Sequence, residues 1–447
     1  MKKALLSCLL LLTTSFSCCD NRLLLVQSLA VDEIDGDYKS RRTRFQQYQQ
    51  QQADEWIKKY HHQSRHSDSH PRCPCSDSSN CEPIVSSTPI RESGEVYGFA
   101  AGKSTGEHYT WTHISTVAWA NSDDLMCLAH QNGARVVLGS PSFNLTEIAS
   151  LSASQRQSYI EDWVERTVFM VTSRHRDGVV FDYEEPLPRN SPEGKAYVDL
   201  INATQQVFHT FPTPLQVTTC VPWSPDDIDG RGYPYQDLAY VSDLLYVMDY
   251  DTQSQIVQGP CLANANAPYF GMKLGIERYV SLGIDPKKLI LGMPWYGYQY
   301  PCLRGTQAND RFCPIQEVPF RGVNCSDAAG REVPYSMLLQ EFYNQSAAER
   351  RQTRGMRRDA YMDATFFNLQ RTNDVGDIVI YQNWMDDPTS LTHKTMYAKE
   401  MGLGGIGPYT FDDLDPMALP EESIRIWSTF DTFFSRAGNN EISTTKV

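Results

Sequence analysis

The sequence predicts an α/β protein, a (β/α)8 barrel with a small α+β insertion between its seventh and eighth strands. Three observations point there. Eight short apolar runs recur after residue 72, helical patterns lie between them, and one interval is far too long for a single crossover helix. A doubly wound open sheet is the competing architecture, but no G-x-G-x-x-G follows the first run.

The chain opens with Lys2 and Lys3, an apolar run from Ala4 to Leu12 and small residues up to Ser17. That order is a secretory signal peptide, expected to span residues 1–19. Residues 20–72 differ in texture, with the glutamine-rich run Gln46–Gln52, the basic patch Arg41–Arg44 and four histidines between 61 and 70. Such a segment buries too little apolar surface to offset its ordering entropy, so it reads as a low-complexity extension or propeptide. A solvated linker accounts for its histidines better than a metal site, because no second ligand cluster accompanies them. The barrel is expected over residues 73–435, its insertion over about 299–375, and a C-terminal tail over 436–447.

The eight runs are Val96–Ala100, Ile114–Ala120, Arg135–Gly139, Gly178–Tyr183, Leu215–Val221, Leu244–Met248, Leu289–Met293 and Gly405–Phe411. Several lack polar alternation, as strands covered on both faces do. Ser154–Ser173 reads as one of the intervening helices. Nine cysteines follow residue 72 at irregular spacings that suggest disulfides rather than zinc, the pairing being open and the odd number leaving at least one thiol free. Asn144, Asn202, Asn324 and Asn344 head N-x-S/T sequons, candidate glycosylation sites in a secreted chain. The net charge of −14 argues against nucleic acid or an anionic membrane surface as a partner, and no stretch is long and apolar enough to span a bilayer. A monomer is expected.

The chemistry concentrates at Asp177-Gly178-Val179-Val180-Phe181-Asp182-Tyr183-Glu184. Strand alternation puts Gly178, Val180, Asp182 and Glu184 on one face and Val179, Phe181 and Tyr183 on the other. The apolar set suits the helices, so both carboxylates should face the barrel axis at the strand's C-terminal end, where barrel enzymes act. Two close acids do not both ionise cheaply, and one of them then holds a proton for a glycosidic oxygen, with Glu184 reaching furthest. Met248-Asp249-Tyr250-Asp251 closes the sixth run, offering a phenol and a carboxylate to a polar substrate. Trp223, Trp295, Tyr296 and Tyr409 lie at strand ends, where aromatic faces stack on sugar rings.

Together these residues resemble glycoside hydrolase family 18, the chitinase family. Its D-G-x-D-x-D-x-E motif is matched by Asp177, Gly178, Asp182 and Glu184, and its M-x-Y-D by Met248, Tyr250 and Asp251. Cys73-Pro74-Cys75, Trp223-Ser224-Pro225, Ser254-Gln255-Ile256, Pro294–Tyr298, Pro319–Gly322 and Cys325–Arg331 resemble the lysosomal members that split the chitobiose core of Asn-linked oligosaccharides. The resemblance implies a retaining hydrolase of N-acetylglucosamine-containing oligosaccharides, lysosomal or secreted, that needs no metal or cofactor. It implies Glu184 as acid and base, Asp182 orienting the substrate acetamide that attacks, and Tyr250 positioning the acetamide carbonyl. Two departures stand out: Val180 replaces the motif's middle acid, and Tyr409 stands where the family usually has tryptophan. A chitinase acting on chitin oligosaccharides and a weakly catalytic lectin-like relative remain alternatives, the second disfavoured by the presence of Glu184.

Overall fold

The computed structural model describes residues 72–85, 91–100, 104–253, 260–372 and 376–435, all within the compact unit Ser67–Val447. The expected signal peptide, the extension, the Ser254–Ile256 segment and the tail from 436 lie outside the described residues.

Eight parallel strands close a barrel: β1 (Glu95–Phe99), β2 (Thr116–Ala118), β3 (Arg135–Gly139), β4 (Gly178–Phe181), β5 (Gln216–Pro222), β6 (Leu244–Met248), β7 (Leu289–Pro294) and the last, β13 (Gly405–Tyr409). Each coincides with one of the eight apolar runs. The strands follow sequence order around the ring, with β13 closing it between β7 and β1. Each barrel strand is buried along nearly its whole length, because side chains fill the interior while helices cover the outside.

Alternation sorts the residues as expected. Val180 belongs to an inner layer with Tyr97, Phe99, Val137, Cys220 and Tyr246. Phe181 points the other way and packs on Trp163, with ring centroids 5.7 Å apart, in the outer helix Ala153–Ser173. That helix begins at Ser152, whose N–H donates to the Gln155 side chain 3.3 Å away and so fixes its start. Gly178 permits close strand packing, since a Cβ there would come within 2.1 Å of the Gln216 carbonyl oxygen. Asp177, just before β4, is a structural anchor. Its carboxylate accepts from the Val136 and Ile84 amides and stands 2.8 Å from His130 Nε2.

The insertion is a five-stranded sheet of order β10-β11-β12-β8-β9, with antiparallel pairing throughout. Its strands are β8 (Tyr296–Pro301), β9 (Arg331–Pro334), β10 (Arg357–Asp359), β11 (Ala364–Thr372) and β12 (Ile378–Met385). The sheet is therefore wider at both ends than 299–375, because β8 leaves β7 almost directly and β12 runs on into the next barrel helix. Cys302–Cys313 staples the insertion, and Cys261–Cys325 ties it to the loop after β6. Cys73–Cys81 and Cys75–Cys127 secure the start of the unit, leaving Cys220 as the free thiol among the described residues.

A buried charge cluster joins the insertion to the barrel. Lys394 Nζ, fully buried, donates to Asp386 Oδ2 at 2.8 Å and to the Ala267 carbonyl, and lies 4.0 Å from Asp249 Oδ2. It thus ties the end of β12 to the loop that carries Ala267, with Asp249 at the end of β6 close by.

Candidate active site

The C-terminal ends of β4, β5 and β6 and the near edge of the insertion enclose a cleft of about 580 Å³. A volume of that size suits a small oligosaccharide. Glu184, Trp223, Met248, Tyr250 and Asp251 line it.

β4 ends at Phe181, two residues earlier than the sequence suggests. Asp182 stands just past the strand and Glu184 in the loop beyond, so strand alternation does not carry through to Glu184. The two acids sit in unlike surroundings. Asp182 has a buried oxygen, Oδ1, without a partner, whereas the Glu184 side chain is 54% exposed. Burial pushes the Asp182 carboxyl up to about 7, the nearby Glu184 charge adds to this, and Cys220 and Arg231 act in the opposite direction. Such a carboxyl keeps a proton near neutrality, which is the asymmetry that acid–base chemistry needs.

Around this pair stand groups from β6. Tyr250 is buried, with its ring 5.5 Å from Tyr409 and 5.9 Å from Tyr296. Asp251 adopts a left-handed φ of 54°, supported by its N–H donating to Asn266 Oδ1 at 2.7 Å. Its Oδ1 accepts from the hydroxyls of Tyr296 at 2.6 Å and Tyr298 at 3.1 Å. Burial nevertheless raises Asp251 to about 7. Trp223 lines the cleft with its indole N–H buried and unpartnered, a donor free for a substrate oxygen. Tyr409 closes the barrel mouth against Trp119 and Tyr250.

Trp295 does not belong with them. It is 1% exposed and sits on the helix side, where its ring stacks on Phe430 at 5.6 Å and meets Trp427 edge-on at 4.9 Å. The reason is alternation: Ile290 faces the barrel interior, so Gly292 and Pro294 share that side and Trp295 falls on the other. Its neighbour Tyr296 takes the inward position.

Residues that sequence reasoning missed complete the site. Arg231, in the loop after β5, pairs with Glu184 and Asp229. From the insertion come Tyr298, Glu332 and the hairpin tip Phe320–Arg321, whose Arg321 Nη1 donates to the Glu184 carbonyl at 2.8 Å. Arg321 itself holds a left-handed φ of 40°. No local pattern marks Arg231. Pro319–Gly322 is part of the family resemblance, but its residues carry no local sign of a role. Of the sequons, Asn144, Asn324 and Asn344 are exposed, and Asn202 is half-buried on the helix Pro192–Phe208. Among the described residues no helix is long and apolar enough to cross a membrane.

The fold has solved counterparts. A class V chitinase from Nicotiana tobaccum aligns with a TM-score of 0.57 at 16% identity, covering 76% of this chain and 99% of that one. A chitinase-like agglutinin from Robinia pseudoacacia aligns at 0.54, with 18% identity over 74% of this chain and 99% of that one. At such identities the likeness concerns the fold alone. Sequence relatives are nearer. Di-N-acetylchitobiase of Rattus norvegicus is 38% identical over 345 residues, 77% of this chain and 87% of that protein. The human protein of the same name is 37% identical, over 77% of this chain and 83% of its own. A probable di-N-acetylchitobiase 2 of Dictyostelium discoideum is 34% identical over 83% of this chain and 93% of its own. The family model described as glycosyl hydrolases family 18 matches residues 96–413, from β1 to just past β13. With barrel, insertion and paired acids all inside that match, the chain belongs to glycosyl hydrolase family 18.

Proposed function

We propose that this chain hydrolyses the β-1,4 bond between two N-acetylglucosamine residues, as in the chitobiose core of Asn-linked oligosaccharides. The observation that carries the reading is the unequal pair at the end of β4: Asp182 half-buried, with one oxygen fully enclosed and its carboxyl pushed up to about 7, and Glu184 exposed in the cleft. The proton that burial keeps on Asp182 is the one the pair has to give. Arg231 faces Glu184, with Nη1 3.0 Å from Oε2. Substrate brings the leaving oxygen to Glu184, which donates the proton as Asp182 ionises. The substrate acetamide oxygen attacks the anomeric carbon, giving an oxazolinium ion. Asp182 holds the acetamide N–H and offsets its positive charge, while the Tyr250 hydroxyl holds the carbonyl in line. Glu184 then takes a proton from water, and water opens the ion with retained configuration.

The acidic end of the secretory route suits such a site, so we place the mature enzyme in the lysosome, glycosylated and monomeric. Chitobiose hydrolysis by the purified protein, lost in Glu184→Gln, tests the reading. Turnover of a substrate lacking the acetamide at an equal rate sinks the assisted mechanism. Release of internal fragments from polymeric chitin, with chitobiose left intact, would favour a chitinase instead.

A further inference from the structure

Val180 leaves Asp182 without a polar neighbour on the inward side of its own strand, since Val180 is fully buried among apolar and aromatic groups. A polar neighbour comes from the adjacent strand instead. The register pairs Phe181 with Thr219, so Cys220 is the residue alongside Asp182 and shares the inward face with Val180. The thiol is 1% exposed, unpaired in any disulfide, and acts to lower the Asp182 carboxyl against the effect of burial. The Oδ1 of Asp182 is buried and has no hydrogen-bond partner. A buried cysteine is ordinarily a small apolar filler. Here it stands in contact with a carboxyl whose orientation the reaction depends on.

We propose that Cys220 is a positioning residue for the hydrolysis, its S–H donating to Asp182 and holding that carboxylate toward the substrate acetamide. This rests on the function proposed above. The thiol acts where a polar side chain at position 180 would otherwise act, from the next strand rather than from beneath. Its hydrogen bond favours the ionised carboxylate, opposing the burial and the Glu184 charge that push Asp182 up to about 7. Loss of the thiol therefore moves the ionisation of Asp182 to higher pH and lets the carboxyl turn away.

The test uses Cys220→Ala, Cys220→Ser and the double variant Cys220→Ala with Val180→Asn, each assayed on chitobiose across the pH range. Cys220→Ala should lower kcat about fivefold with KM little changed and move the alkaline limb up by about half a pH unit, the scale of one weak hydrogen bond to a charge. Cys220→Ser keeps a donor and should stay near wild type. The amide that Val180→Asn introduces in the double variant should recover the alkaline limb, which a mere packing defect would not do. Cys220→Ala with the wild-type profile overturns the proposal. So does a loss that is absent from neither Cys220→Ser nor the double variant. Carbon-13 titration of the Asp182 carboxyl, assigned with Asp182→Asn, reads the same coupling without turnover. An unchanged midpoint in Cys220→Ala overturns it even if chitobiose is not the substrate.

Discussion

The guanidinium of Arg231 bridges two carboxylates, with Nη1 3.0 Å from Glu184 Oε2 and Nη2 3.0 Å from Asp229 Oδ2. Its side chain is only 8% exposed, whereas that of Glu184 is 54% exposed, so Arg231 is the fixed member and Glu184 the movable one. A half-exposed ion pair adds little to stability. Its effect is to hold the Glu184 side chain in one orientation until substrate arrives. The Arg231 charge also lowers Asp182. Arg231→Met is expected to cut kcat/KM about tenfold and to shift the alkaline limb of the pH–rate profile upward. Arg231→Lys restores the charge but not the fork, so it should recover the pH profile better than the rate. Steady-state kinetics on chitobiose at several pH values check this, and an unshifted limb in Arg231→Met would count against it.

Trp223 and Trp295 separate binding from packing. Trp223→Phe keeps an aromatic face in the cleft but removes the unpartnered N–H, so KM should rise about fivefold, the scale of one lost hydrogen bond. Trp295→Phe shrinks a ring packed between Phe430 and Trp427, and should lower Tm while leaving KM unchanged. Kinetics and thermal melts on both variants discriminate the two roles. A KM effect from Trp295→Phe would contradict the side assigned to it here.

The contrast between these tryptophans also shows what a sequence carries. Buried parallel strands are apolar along their whole length, so all eight barrel strands stood out, and the acids at the end of β4 with them. Alternation was equally available at Trp295, where Ile290 and Gly292 already set the inward side. Arg231 and Phe320–Arg321 were beyond that kind of reading. They arrive from loops whose reach is set by tertiary contacts and by the Cys261–Cys325 bond, and no local periodicity encodes where a loop lands. Cys220 was visible only as a leftover thiol, because its partner lies on another strand.

The hairpin tip Phe320–Arg321 reaches from the insertion to the end of β4, braced by mutual Phe320–Val323 backbone bonds of 3.0 Å and by Arg321 on the Glu184 carbonyl. Both residues line the cleft and narrow it on the insertion side. Arg321→Ala is expected to raise KM for chitobiose several-fold, because the tip loses its hold on β4. Relative activity on soluble chitin oligomers should rise as the cleft opens. A KM ratio between long and short substrates equal to that of wild type would remove the hairpin from substrate selection.

Stability should follow the buried acids. Burial raises Asp182, Asp249 and Asp251 to about 7 and Asp413 to about 6, from an ordinary value of 3.8. A carboxyl whose folded value lies above its unfolded value binds its proton more tightly in the native state. Its stabilising contribution is complete below the unfolded value and fades as pH climbs through the folded one. Asp387, Asp359 and Asp226 are shifted the other way, held down by hydrogen bonds and arginines, and lose their contribution as the solution becomes strongly acidic. The two sets together put the stability maximum at mildly acidic pH, between the window where the second set protonates and the window where the first set ionises. Thermal melts should give a Tm near pH 5 that exceeds the value at pH 8, with a further fall below about pH 4. Asp251→Asn, which cannot ionise, should flatten the slope between pH 5 and 8. A Tm that instead climbs steadily across that interval would mean these carboxyls are ionised in the folded protein, and with them the proton that the hydrolysis requires.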